Sequence, residues 1–180
     1  LDKNGFIDTY DQMAIGGTEN PEIVYGFGVN LRWKELDFGA MFQGIGRTWR
    51  ILSSNIMPAS NKGSMYNIFD NYQDRWTVDN QSQDVFYPRA DYGPNANNSQ
   101  KSTWWLRNMS FLRLKNLELG YSCPKKWLQG FVISNARVFV RGTNLLTFSK
   151  FNLWDPELAT GDGAKYPAMK SVSVGFDITF

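Results

Sequence analysis

At 180 residues the chain is long enough for one sizeable core, and with 42% hydrophobic and 16% aromatic residues it is too apolar to be disordered. A net charge of only +2, with no Lys/Arg cluster, excludes a nucleic-acid footprint. Histidine is absent and Cys123 is the single cysteine, which removes Ser-His-Asp and Cys-His catalysis, His-ligated metals, thiolate zinc and an internal disulfide.

The chain opens on Asp2-Lys3-Asn4-Gly5-Phe6-Ile7-Asp8, followed by Asp11. Set against an EF-hand calcium loop, Asp2 falls at position 3, Asn4 at 5, Gly5 at the sharp turn, Phe6 at the carbonyl position 7, Asp8 at 9 and Asp11 at 12. Asp2, Asn4, Phe6, Asp8 and Asp11 are therefore the expected calcium ligands. Position 1 would precede Leu1, so the chain is expected to have been cut from a longer one. An acidic Asn-Gly turn without metal fits the same residues.

Beyond Gly16-Gly17 and Asn20-Pro21 comes a strongly alternating run, Tyr25 to Lys34. Tyr25, Phe27, Val29, Leu31 and Trp33 share one face; Gly26, Gly28, Asn30, Arg32 and Lys34 share the other. Leu36, Phe38, Ala40 and Phe42 continue the apolar face after a two-residue turn at Lys34 and Glu35, which predicts a tight hairpin. On a lipid face Arg32 and Lys34 would each cost about 2–4 kcal/mol near the midplane, so in a membrane they must face water.

From 47 to 109 the rhythm breaks. This stretch is rich in amides, Ser, Asp and aromatics, with a short helix predicted over Ser64 to Trp76 from the spacing of Met65, Ile68, Phe69, Tyr72 and Trp76. The run Ser110 to Tyr121 changes phase: Leu112 and Leu114 have one parity, Leu117, Leu119 and Tyr121 the other. A β-bulge near Lys115 and Asn116 would return all five to one face. Residues 122 to 134 form a connection with a helical turn, Asn135 to Phe148 a further strand, and 151 to 169 a second long loop. The chain ends on Lys170 to Phe180, where Val172, Val174, Phe176, Ile178 and Phe180 alternate with Ser171, Ser173, Gly175, Asp177 and Thr179.

A tilted membrane strand needs about 9–11 residues with one apolar face. No run reaches the roughly 18 apolar residues of a membrane helix, so any span here must be β. Connections alternate long and short, which in an antiparallel sheet places every long loop, and the calcium-like segment, on one side. That sorting is the pattern of an outer-membrane barrel. A soluble carbohydrate-binding β-sandwich is the alternative, and it requires the Tyr25 to Trp33 and Val172 to Phe180 faces to pack on each other.

The sequence resembles the SusC/RagA-like TonB-dependent transporters of Bacteroidetes outer membranes. The resemblance rests on Asp2 to Asp8 ahead of Gly-Gly and Asn20-Pro21; Phe42-Gln43-Gly44; Phe111-Leu112-Arg113-Leu114-Lys115-Asn116 leading to Leu119-Gly120-Tyr121 and Pro124; Arg137-Val138-Phe139-Val140 with Gly142-Thr143-Asn144-Leu145-Leu146-Thr147; Asp155-Pro156-Glu157; and Tyr166-Pro167. It implies an all-β fold: an antiparallel transmembrane β-barrel segment of about five strands, the last of a 22-stranded barrel, with long extracellular loops. Residues 1–180 would be the C-terminal portion, without plug domain or TonB box. The implied function is TonB-dependent import of oligosaccharides or peptides through the outer membrane, with a SusD-like surface lipoprotein as lid, the TonB complex as power source through an N-terminal part, and outer-membrane lipid as surroundings. No enzyme activity is implied.

Loop aromatics interleaved with amides and carboxylates suit stacking on sugar rings, and Trp49, Tyr66, Tyr72, Trp76, Tyr87 and Tyr92 are the expected substrate contacts. The same rings, with Trp104 and Trp105, could instead pack the loops together or sit in an interfacial girdle. Arg137 and Arg141 read as part of a charged barrel wall. Asp155 and Glu157, a conceivable glycosidase pair, read as a turn around Pro156.

Overall fold

The structure, a computed structural model, describes residues 4–5, 8–52, 69–90, 95, 97–98, 100–130 and 132–180. Alternation is realised as five long antiparallel strands: β1 (Ile23–Trp33), β2 (Leu36–Gly46), β5 (Phe111–Ser122), β6 (Asn135–Ser149) and β7 (Ser171–Thr179). They lie in the order β1-β2-β5-β6-β7, so each strand neighbours the long strand next to it in sequence. Two short strands, β3 (Trp49–Ile51) and β4 (Leu106–Asn108), pair separately and prolong β2 and β5 beyond the main sheet. The sequence treated these residues as loop; three residues are too few for a period of two to register.

Register aligns the apolar side chains in rows across all five strands. Leu31, Phe38, Leu119, Val140 and Val174 form one row; Trp33, Leu36, Tyr121, Val138 and Phe176 form the next. Toward the long-loop end Phe27, Phe42, Leu114 and Leu146 continue it, with the Phe27 and Phe42 rings stacked at 5.1 Å. The phase change inside β5 is absorbed where expected. Register shifts between Leu114 and Asn116 on one side and between Met41 and Phe42 on the other, making Lys115 the bulged residue and keeping Leu112, Leu114, Leu117, Leu119 and Tyr121 on one face.

That face is uncovered: Val172, Val174 and Phe176 are 68%, 73% and 74% exposed. No second sheet packs on it among the described residues, and the β1 and β7 faces that a sandwich would press together lie at opposite edges of one sheet. Buried apolar side chains gather in the loops instead, where Leu52, Tyr87, Trp105, Met109 and Phe151 form a cluster flanked by Ile51, Tyr72, Phe86, Trp104, Leu153 and Trp154. A sheet that leaves its apolar face open, beside loops that carry their own core, is the arrangement of a protein whose solvent is lipid.

Connections sort by length. The β1–β2 turn occupies only Lys34 and Glu35, Lys34 taking φ +55°, and the β5–β6 connection holds the short helix α1 (Lys125–Leu128) at the same end. The other end carries 47–110 and 150–170. Of the helix expected over Ser64 to Trp76, residues 64–68 lie outside the described residues; the part described holds a single 3-10 turn, Asp70–Gln73, and Trp76 lies beyond it outside any helix.

Candidate functional site: a charged wall beneath a folded loop layer

The polar face of the sheet holds a continuous network of ion pairs. Arg137 on β6 forks onto Asp37 of β2, with Nε to Oδ1 at 3.0 Å and Nη2 to Oδ2 at 2.5 Å. Its Nη2 also donates to Glu118 of β5 at 2.6 Å, while Nη1 reaches Asp177 of β7 at 3.5 Å. Arg141 donates to the other Glu118 oxygen at 2.6 Å. Four strands are thus tied through one guanidinium, whose planar fork can serve several carboxylates at once. Phe139 lies between the two arginines, its ring about 5 Å from each guanidinium (5.1 and 5.2 Å). It occupies the space above Gly175, where an added Cβ would sit 2.5 Å from the ring, and Gly120 likewise leaves room for the Arg137–Asp37 pair.

A second cluster fastens a loop onto this face. Arg113 on β5, 1% exposed, pairs with Asp155 and, at 2.8 Å, with Glu157; Lys115 reaches Glu157 at 3.2 Å. Asp155 caps the 3-10 turn Pro156–Leu158 by accepting from Glu157 N–H at 3.0 Å. Asp155 and Glu157 do form the turn read from the sequence, and that turn delivers both carboxylates to one buried arginine. Sequence reasoning saw Arg113 only as a polar position in an alternating strand. Its burial arises because the 150–170 connection folds back over the polar face, a long-range event with no local signature.

Rings and backbone interlock in the loop layer. Tyr87 is 1% exposed and packs on Phe86, Tyr72 and Trp105 at centroid distances of 4.6, 5.4 and 6.3 Å. Burial raises its phenol above the ordinary tyrosine value, against the opposing hydrogen bond to Asn71. Trp105 Nε1 donates to Asn98 O at 2.9 Å and Trp104 Nε1 to Phe86 O at 3.0 Å, which places these indoles in the loop layer and not in a lipid girdle. Among the expected substrate contacts, Tyr87 lies inside this core and Tyr72 against it. Trp76 and Trp49 are half-buried, Trp49 beneath Gly17, and Tyr66 and Tyr92 lie outside the described residues.

Of the calcium-like segment, Asn4, Gly5, Asp8 and Asp11 are described, whereas Asp2 and Phe6 are not. Gly5 takes φ +89°, the kind of sharp turn a calcium loop needs at its sixth position. Asp8 then caps the 3-10 turn Thr9–Asp11, accepting from Tyr10 N–H at 2.7 Å, and Asp11 accepts from Asp8 N–H at 3.2 Å. Among the described residues no three acidic, His or Cys side chains converge on one point. The segment borders a groove with Ile51 and residues 100–103, on the long-loop side.

An apolar face turned outward, a charged face turned the other way and loops sorted to one end define the wall of a transmembrane β-barrel. No protein-family model matches the chain. It is 31% identical to TonB-dependent receptor P26 of Formosa agariphila over 98% of its own length and 19% of that protein's. To TonB-dependent receptor P3 of the same organism it is 28% identical, over all of its own length and 18% of the relative's. TonB-dependent receptor SusC of Bacteroides thetaiotaomicron matches 44% of the chain at 33% identity and 8% of its own length. A solved structure of the RagAB peptide transporter superposes with TM-score 0.73 at 35% identity, covering 92% of this chain and 18% of that one. The same importer in its 'closed-closed' state gives 0.72 at 32% identity, covering 98% of this chain and 20% of that one. The chain belongs to the SusC/RagA-like TonB-dependent receptors and represents a C-terminal part of their barrel. It spans about a fifth of the length of the relatives it matches.

Proposed function

We propose that this chain forms part of the wall and extracellular loop layer of an outer-membrane transporter that imports oligosaccharides or peptides with energy from the TonB complex, beneath a SusD-like surface lipoprotein. The observation that carries the reading is the inside-out sheet, with one lipid-suited face and one ion-paired face, in a chain that superposes on the RagAB peptide transporter with TM-score 0.73. Arg137, Arg141, Asp37 and Glu118 then belong to the water-filled side of the wall, where charge costs little and fixes strand order. Half-buried Trp49, Tyr72 and Trp76 supply rings for substrate in the loop layer, Tyr66 and Tyr92, outside the described residues, are further candidates by sequence, and the Gly5 turn with Asp8 and Asp11 offers part of a calcium loop on the same side.

Deletion of the full-length gene in its host, with growth measured on single glycan or peptide sources, tests this reading. Loss of growth on one source, restored by the wild-type gene and abolished again in a TonB-deficient background, is the expected result. A protein that fractionates without detergent, with no mobility shift on heating, would sink it.

A further inference from the structure

Outside the ion-paired wall, the loop layer holds a second concavity of about 360 Å³, bounded by Asp74, Gln83, Asp84, Phe86, Trp104 and Arg107. This volume is at the small end of ligand clefts, which run from roughly 300 to 1,000 Å³. Its lining is built. Asp74 Oδ2 accepts from Phe86 N–H at 3.2 Å while the Asp74 carbonyl accepts from Tyr87 N–H at 2.9 Å, strapping both sides of the concavity together. Trp104 is held by its Nε1 bond to Phe86 O. Arg107 lies 4.8 Å from the Phe86 ring centroid and, among the described residues, donates through Nη1, to Trp104 O at 2.5 Å and Leu106 O at 3.1 Å, so these bonds do not consume the rest of its fork.

Two carboxylates, an amide and a planar guanidinium around a fixed indole match the chemistry of a sugar. Asp and Gln accept from hydroxyls, Arg donates to a vicinal oxygen pair, and an aromatic face takes the C–H side of a pyranose ring. The charge goes further than the composition. Asp74 and Asp84 outnumber Arg107, and no ion pair joins either to Arg107 among the described residues, so the concavity carries a net negative charge. Carboxylate or sulfate groups on a ligand would meet like charge here, whereas neutral hydroxyls and ammonium groups would not.

We propose that this concavity is a saccharide subsite selective for neutral or amine-bearing sugar units over acidic ones. The proposal rests on the import reading and narrows its substrate class. Its test is binding by the detergent-solubilised full-length receptor to a panel of β-1,4-glucan oligomers, chitosan oligomers, oligogalacturonates and tryptic peptides, followed by calorimetry. Glucan or chitosan oligomers are expected to bind, with affinity reduced about tenfold by Trp104→Ala and by Asp84→Ala. Asp84→Asn should reduce preference for chitosan over glucan. Asp84 is exposed, and its carboxylate makes no hydrogen bond to another described residue, so its variants separate loss of ligand from loss of fold. Binding of oligogalacturonates or peptides only, binding of nothing in the panel, or glycan affinity unchanged within twofold in both Asp84→Ala and Trp104→Ala would overturn the subsite. TonB-dependent uptake by cells carrying the wild-type gene is scored separately: uptake that survives those outcomes leaves the transporter reading standing, and its absence removes that reading too.

Discussion

Replacing Arg113 by Met tests how the 150–170 connection is held on the polar face. The guanidinium is 2% exposed, and it pairs with Asp155, 14% exposed, and Glu157, 35% exposed. Removing one side of a buried ion pair costs about 3–5 kcal/mol, because the charge left behind loses both its partner and its water. Glu157 retains Lys115 at 3.2 Å, so the lower end applies and Asp155 bears most of the loss. A loss of about 3 kcal/mol, at roughly 1.4 kcal/mol per tenfold, makes local opening at least about a hundredfold more frequent. Hydrogen exchange read by mass spectrometry on the full-length receptor in detergent should show that acceleration in peptides from 151–169, with peptides from β6 and β7 unchanged. Lys115→Ala is the control: its partly exposed pair contributes no more than about 1 kcal/mol, or roughly a fivefold effect. Equal exchange in wild type and Arg113→Met would refute the claim that this arginine fastens the loop.

Deleting Lys115 should remove the bulge and leave Leu112, Leu114, Leu117, Leu119 and Tyr121 alternating regularly on one face, because the residue removed is the extra one. The expected result is a receptor that keeps its heat-modifiable mobility, as Lys115→Ala does, and loss of the mobility shift on deletion would refute Lys115 as the bulged residue. Tyr87 makes the loop layer sensitive to alkali. Its folded value is raised, so its contribution is complete below the unfolded value near 10.0 and is lost as pH climbs through the folded one. Loop-layer tryptophan fluorescence should therefore shift above that pH in wild type and much less in Tyr87→Phe. If the opening segment is a calcium loop, terbium luminescence sensitised by Tyr10 should be displaced by calcium and should fall at least about tenfold in affinity on Asp8→Asn or Asp11→Asn; luminescence equal in the variants would refute calcium binding by these carboxylates.

The five long strands, the two-residue turn at Lys34 and Glu35, the bulge at Lys115 and the sorting of loops were all legible in the sequence. A period of two is a local property: a strand next to lipid or solvent writes its two faces directly into alternate residues. Family membership was legible for a related reason, since short motifs from Asn20-Pro21 to Tyr166-Pro167 follow one another along the chain and their order is specific even where each motif alone says little. What alternation does not encode is which loop folds onto which wall. The sequence showed Arg113 as one more polar position and Asp155-Pro156-Glu157 as a turn, and only the fold brings residues 42 positions apart into one buried pair. Tyr87, expected to face a substrate, was placed in a core that Leu52, Trp105, Met109 and Phe151 assemble from three separate stretches. The concavity at Asp74, Asp84, Trp104 and Arg107 was likewise invisible, because its members are unremarkable until the backbone straps them together. Side-chain alternation follows from covalent geometry and so belongs to the sequence; burial of a charge or a ring depends on distant segments meeting, and only the tertiary structure decides that.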